Sequence, residues 1–360
     1  MKNKFDEKMS LITDERLNDN AEKFVEDMID QDQDVFVRVQ PEKLFESPVN
    51  LKIANYRYPG LKKYVLTDCH TLPDRISDLG KIIFSIDEIP VEEIPHSLIF
   101  IFFTCDSDAL PVLRKIKEYG GKYMPHQDSS KTDYRFVNRM AYNAIQKTWG
   151  KTDRISHMTM IVHENLCEAL ELTKNIPGDF VEIGVFLGGS SLTALNFLHE
   201  QSQLSKVPSR KAWLMDTFDG FNYQEAKNSQ DVIWQGTHKL FGVGETMKYI
   251  TETLTDAGAP FELIEGNICS EELPGAIDRI SVANIDVDMY DPTLSALNKC
   301  AERLSDGGII IAEDPTSTPL LYGAYLAMNE FLESPIGKSF TPIFKKGQYF
   351  LLKNNIPTND

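Results

Sequence analysis

The chain has 360 residues, 42% of them hydrophobic, enough to bury a sizeable core in two domains or one large one. Its 54 acidic residues against 37 basic ones leave a net charge of −17, which opposes both a nucleic-acid backbone and an anionic membrane surface. Neither nucleic acid nor membrane is an expected partner.

Five cysteines (Cys69, Cys105, Cys167, Cys269 and Cys300) are an odd number, widely spaced and without a CxxC pair. They read as reduced thiols, which places the protein in the cytoplasm. The opening "MKNKFDEKMSLITDERL" is charged throughout and has no apolar signal core. The most apolar run, "SLIFIFFTC" (97–105), is about half the roughly 20 residues of a spanning helix, so it reads as a buried strand.

Along the chain, residues 1–55 are acidic and weakly periodic, consistent with short helices. An α/β alternation follows: strands at "KKYVLTDC" (62–69), "KIIFSIDEIP" (81–90) and "SLIFIFFTC", then a helix over 106–121 closed by glycine. No phosphate-binding glycine turn follows the first strand. This unit is therefore expected to be a small Rossmann-like auxiliary domain that packs or forms dimers, making the protein a homo-oligomer. The polar stretch "PHQDSSKTDYR" (125–135) marks a boundary, giving domains at 1–130 and 131–360.

Beyond it, helical periodicity resumes over 136–150, and a stronger alternation begins at "IPGDFVEIGVFLGGSSLTALNFLHE" (176–200). Strands are expected at 211–218, 261–268, 281–290 and 307–315, helices near 243–257, 293–304 and 321–334, and a closing hairpin over 340–353. Apolar strands alternating with helices predict an α/β fold with a mostly parallel, doubly wound sheet.

Three features carry chemistry. "EIGVFLGGSS" (182–191) sets Glu182 at a strand end, then Gly184, Gly188 and Gly189 in a turn opening a helix, where the backbone can approach a ligand. The spacing is not GxGxxG. An acid ahead of the glycines suits S-adenosylmethionine (SAM), whose ammonium a carboxylate can hold, although a plain tight turn has the same look. Asp216, in "WLMDTFDG", ends the next strand where a doubly wound fold holds a ribose, or serves as an ordinary turn aspartate. Asp286 and Asp288 end one strand, Glu313 and Asp314 the next. With no His/Cys cluster nearby, such acids match a hard cation such as Mg²⁺; strand alternation assigns Asp286, Glu313 and Asp314 as ligands, with Asp288 behind them. Helix caps and turns are the competing reading.

Together, "IPGDFVEIGVFLGGSS", "WLMDTFDGF", "EGNICSEELP", "IDVDMYDPTLSAL" and "LSDGGIIIAEDP" resemble the macrocin/mycinamicin sugar O-methyltransferase family over about residues 150–353. The resemblance implies a class I, SAM- and magnesium-dependent methyltransferase acting on a sugar or polyol hydroxyl of a natural product, so the partner is a small acceptor with vicinal hydroxyls. It places the metal on Asp286, Glu313 and Asp314, although the family's usual acidic pair is Asp-Asp rather than Glu-Asp-Pro. The segment "HMTMI" (157–161) resembles one that closes over the cofactor, bringing in Met158 and Thr159. The expected cofactor contacts are Met158, Thr159, Glu182, Gly184, Phe186, Gly188, Ser190, Ser191, Asp216, Gly266, Asn267 and Asp286. Family turns carry a tryptophan and an arginine where this chain has Phe186 and Leu187.

Methyl transfer is an in-line displacement that needs a positioned hydroxyl and a proton acceptor. His238 and Asp286 are the candidate catalytic residues, His238 as the base, with His157 and His163 as competing histidines. Phe218, Phe221, Tyr223, Trp234 and Phe241 could stack on an acceptor or simply pack a core. A nicotinamide oxidoreductase would need GxGxxG and a catalytic Tyr/Lys or His set, neither of which is visible. The alternative function is a non-catalytic or hydroxylase-associated SAM-binding scaffold of a biosynthetic complex.

Overall fold

The computed structural model describes residues 54–55, 58–68, 76–103, 106–125, 137–150, 159–205, 207–229, 231, 234–239, 241–317, 321–345 and 347–354. Met158, His157, Cys69, Cys105 and the expected helices of 1–53 lie outside them. Two compact units divide between Arg139 and Met140, later than the expected 130/131.

The first unit is a four-stranded, all-parallel sheet in the order β2-β1-β3-β4, from β1 (Lys62–Thr67), β2 (Lys81–Ile83), β3 (Ser97–Phe102) and β4 (Lys122–Pro125), with helix α1 (Asp106–Glu118) between the last two. Val65, Leu66, Leu98, Ile99 and Phe100 are fully buried. A parallel strand covered on both faces needs such an unbroken apolar run. The strand expected over 81–90 stops at Ile83, because Ser85 and Glu88 form a capping box that starts a tight helical turn. Strand β4 is short and was not anticipated.

The second unit takes in all but the first residue of helix α2 (Arg139–Trp149), then helix α3 (Met160–Leu172). There follow β5 (Asp179–Ile183), α4 (Gly189–Ser205), β6 (Ala212–Asp216), α5 (Gln224–Asn228), α6 (Val243–Leu254) and β7 (Phe261–Glu265). The chain continues through β8 (Ile280–Ile285), α7 (Tyr290–Arg303), β9 (Leu304–Ala312), α8 (Asp314–Ser317), α9 (Tyr322–Glu333), β10 (Phe340–Lys345) and β11 (Gln348–Lys353). The sheet order is β10-β11-β9-β8-β5-β6-β7; the five strands from β9 to β7 are parallel, and β11 runs antiparallel to β9 and β10.

One apolar cluster, including Val181, Ile183, Met215, Ala283, Ile285, Leu297, Ile310 and Phe331, ties the sheet to α7 and α9. Helix α3 was not anticipated, although Val162, Leu166, Cys167 and Leu170 bury at helical spacing. Strand order reverses between β5 and β8, so the carboxyl ends of these strands diverge around a crevice. Among the described residues no helix is long and apolar enough to cross a membrane, and Cys167 and Cys300 are buried free thiols.

Candidate active site

A cavity of about 540 Å³ opens at that reversal. Five strand ends contribute to it: Gly184–Leu187 after β5, Asp216–Phe218 after β6, Gly266–Ile268 after β7, Asp286–Asp288 after β8, and Glu313 with Asp314 after β9. Phe221, Tyr223, Trp234 and His238, from the segment between β6 and α6, complete the wall. Four described non-glycine residues have positive φ: Phe186 (48°), Phe218 (52°), His238 (62°) and Asp288 (62°). All four line this cavity. Left-handed backbone at such residues costs on the order of 1–2 kcal/mol each, and strain of this kind collects where a site imposes its own geometry.

The glycine turn is built by close approach. Gly184 has φ 93°, and a Cβ there would lie 1.7 Å from the Asp286 carbonyl oxygen, so only glycine lets the ends of β5 and β8 meet. Gly188 supplies a positive φ of 82° from behind the wall. Asp216 ties this turn to its own: it accepts from the backbone N–H of Val185 (2.7 Å), Phe186 (3.0 Å) and Phe218 (2.8 Å).

Several expected cofactor contacts are placed differently. Glu182 does not reach the cavity wall: it is fully buried and accepts from the Ser191 hydroxyl and from Asn284 Nδ2 (2.9 Å). Burial pushes its carboxyl up, against those hydrogen bonds. Glu182 and Ser191 thus brace the turn from beneath. Ser190, Gly266, Asn267, Phe186 and Thr159 do line the cavity. The Asn267 side chain is already engaged, donating to Glu225 (2.9 Å) and accepting from the Cys269 N–H (3.0 Å).

At the acidic corner, Asp286, Asp288 and Asp314 each offer a carboxylate oxygen, all within 4.8 Å of one another. Asp288 was expected behind the ligands; β8 ends at Ile285 and Asp288 turns to positive φ, so strand alternation no longer governs its direction. Glu313 is buried at 4% exposure and lines the same cavity, but it is not one of the three. Burial, then repulsion from neighbouring acids, holds Asp286 and Asp314 well above the usual carboxylate range and lifts Asp288 to about 7. The Asp314 carboxylate also accepts from the N–H groups of Val287 (3.0 Å) and Asp288 (2.7 Å).

His238 is exposed yet lines the cavity, its ring 4.9 Å from Phe221 and 5.7 Å from Phe186. Its Nδ1 lies 2.9 Å from the Thr237 hydroxyl. His163 is instead fully buried, 2.7 Å from the Thr193 hydroxyl, and burial lowers it to about 3. Phe221, Tyr223, Trp234 and Phe218 reach the cavity, whereas Phe241 packs on Tyr249. Leu321 and Pro292 also line it and carried no signal of their own in the sequence.

Residues 116–343 match the family model of macrocin O-methyltransferase (TylF). The chain belongs to this family. The sheet is of the mostly parallel, doubly wound, Rossmann-like α/β kind, as expected. An 8-demethyl-8-(2,3-dimethoxy-α-L-rhamnosyl)-tetracenomycin-C 4'-O-methyltransferase of Streptomyces olivaceus is 30% identical over 41% of this chain and 57% of its own length. The mycinamicin III 3''-O-methyltransferase of Micromonospora griseorubida is 26% identical over 41% of this chain and 59% of its own. The chain thus spans less than two thirds of the relatives it matches. The O-methyltransferase NovP is a similar solved structure, at 19% identity and TM-score 0.43 over 56% of this chain and 84% of that one.

Proposed function

We propose that the protein is a SAM-dependent O-methyltransferase that acts on a hydroxyl of a sugar or polyol moiety of a natural product, with a hard divalent cation such as Mg²⁺ at its acidic corner. The observation that carries this reading is the meeting, in one cavity, of the glycine turn at Gly184–Ser190 and the carboxylates of Asp286, Asp288 and Asp314. The matched relatives are named for O-methylation of rhamnosyl-tetracenomycin, demethyldecarbamoylnovobiocin and mycinamicin III.

The donor set fits a hard cation: all oxygen, without thiol or imidazole, and raised in pKa by burial and then by a mutual repulsion that an ion would relieve. Asp286, Asp288 and Asp314 would hold it, with Glu313 beside them. When bound, the cation supplies Lewis acidity and orients vicinal hydroxyls; SAM supplies the methyl group from its sulfonium. The chain's own share is positional. Asp216 sets the turn that receives the cofactor, and Phe186, Phe221 and Trp234 close the cavity against water. His238 takes the hydroxyl proton at Nε2, with its Nδ1–H donated to the Thr237 hydroxyl, whose own proton goes to Trp234 O.

Calorimetric titration with SAM, with and without Mg²⁺, followed by labelled-methyl transfer to a panel of glycosides, tests the proposal. Absence of SAM binding sinks it. Binding that ignores the cation, without turnover, favours the scaffold alternative. His238→Ala tests the base, since unchanged turnover in that variant removes the assignment, and light scattering tests the expected homo-oligomer.

A further inference from the structure

The segment between β6 and α6 is closed on itself at its base. Phe221 N–H donates to Thr237 O (3.1 Å), Gly236 N–H donates to Phe221 O (2.9 Å), and Lys239 pairs with Asp219. Gly220 packs flat on this closure, since a Cβ there would lie 2.3 Å from Thr237 O. From the closed base hang α5 and the cavity residues Tyr223, Trp234 and His238. Glu225 of α5 receives the Asn267 amide at 2.9 Å, which ties one flank of the segment to the turn after β7.

Asp231 makes the other tie. Its Oδ2 accepts the backbone N–H of Tyr290 at 2.8 Å, at the first residue of α7, two positions after Asp288. A carboxylate there meets an otherwise unpaired amide and the positive end of the helix dipole. The carboxylate is seated in a socket: a Cβ on Gly323 of α9 would lie 1.8 Å from the same Oδ2. Glycine inside a helix costs roughly 1 kcal/mol against alanine, and the space it leaves is filled by Asp231. Trp234 N–H in turn donates to Asp231 O at 2.9 Å.

We propose that Asp231, seated on Gly323, is a positioning residue that latches the His238- and Trp234-bearing segment onto the start of α7, beside the acidic corner. The latch acts through these side chains and touches no reacting atom. Its part in turnover rests on the methyltransferase reading above, whereas the latch itself does not.

The test compares the full chain with Asp231→Ala, Asp231→Asn and Gly323→Ala, using acrylamide quenching of Trp234 fluorescence with Trp234→Phe as blank. Asp231→Ala and Gly323→Ala are expected to raise the quenching constant about twofold or more as the segment detaches. Asp231→Asn, whose amide oxygen still accepts from Tyr290, stays near wild type. Combining Asp231→Ala with Gly323→Ala adds nothing further, because both remove one contact. In turnover, the detached variants lose on the order of tenfold in kcat through misplacement, with SAM affinity unchanged. Unaltered quenching in both Asp231→Ala and Gly323→Ala overturns the latch. So does a quenching constant for Asp231→Asn equal to that of the alanine variant. Altered quenching in a protein that never transfers a methyl group leaves the latch standing and counts against the enzymatic reading alone.

Discussion

The backbone N–H of Asp288 donates to the Asp314 carboxylate at 2.7 Å, so the turn after β8 is fastened to the residue that opens α8. The same oxygen accepts from Val287 at 3.0 Å. These two bonds bend the chain after Ile285 back toward β9 and bring three carboxylates to one point, against their mutual repulsion. Asp314 therefore has two separable jobs, as a backbone acceptor and as part of a charge cluster.

That separation predicts opposite effects from two substitutions. Asp286→Asn removes one of three mutually repelling carboxyl groups, so at pH above neutrality the cation-free protein should gain thermal stability while Mg²⁺ or Mn²⁺ binding weakens at least tenfold. Asp314→Ala should lose cation binding too, but it leaves two N–H groups without an acceptor and costs about 1–3 kcal/mol. Calorimetry and urea unfolding on both variants give the comparison; equal stability changes would contradict the structure.

Cation binding should also depend on pH with a definite sign. The folded pKa of Asp288 is raised from 3.8 to about 7, and its neighbours are raised as well. Each favours the fold most when protonated, so this contribution is fully present below about pH 4 and is lost as pH rises through 7. Above that point a cation replaces the protons. The rise in melting temperature on adding Mg²⁺ should therefore be larger at pH 8 than at pH 5.5, and a reversed order would count against a site at this corner.

His163 predicts the opposite slope. It is buried against Thr193 and lowered from 6.5 to about 3, so the unfolded chain takes up a proton that the fold refuses. The contribution is complete above pH 6.5 and falls by about 1.4 kcal/mol per pH unit as pH drops toward 3. Urea unfolding between pH 7 and 4.5 should show this slope in the wild type and lose it in His163→Gln.

Asp216 offers a test of the cofactor turn. It serves the N–H groups of Val185, Phe186 and Phe218 with both oxygens. Asp216→Asn keeps one acceptor oxygen and must abandon one side of the tie. SAM affinity should fall at least tenfold, with loss of about 1–3 kcal/mol in stability; a change in affinity without any change in stability would point instead to a ribose contact alone.

How far the sequence could be read follows from what each feature depends on. Strands β3, β5, β6 and β8 were legible because parallel strands covered on both faces need apolar runs, and helices α1, α4, α7 and α9 because their periodicity is local. The capping box at Ser85 and Glu88 was overlooked, and so was the helical spacing of Val162, Leu166 and Leu170. The place of Asp288 beside Asp286 and Asp314 escaped the sequence for another reason. The alternation rule holds only while a strand lasts, and the turn that follows β8 is held by the Asp314 bonds, which reach across from the start of α8.

The amino-acid order by itself determined the α/β class, the glycine turn and the acids at the strand ends, since these rest on neighbours in the chain. Only the tertiary structure decided which acids converge, that Glu182 braces the turn from beneath while Asp216 fastens it, and that Asp231 sits in the space left by Gly323. Those choices depend on distances of a few ångströms between segments many residues apart, and no local pattern encodes them.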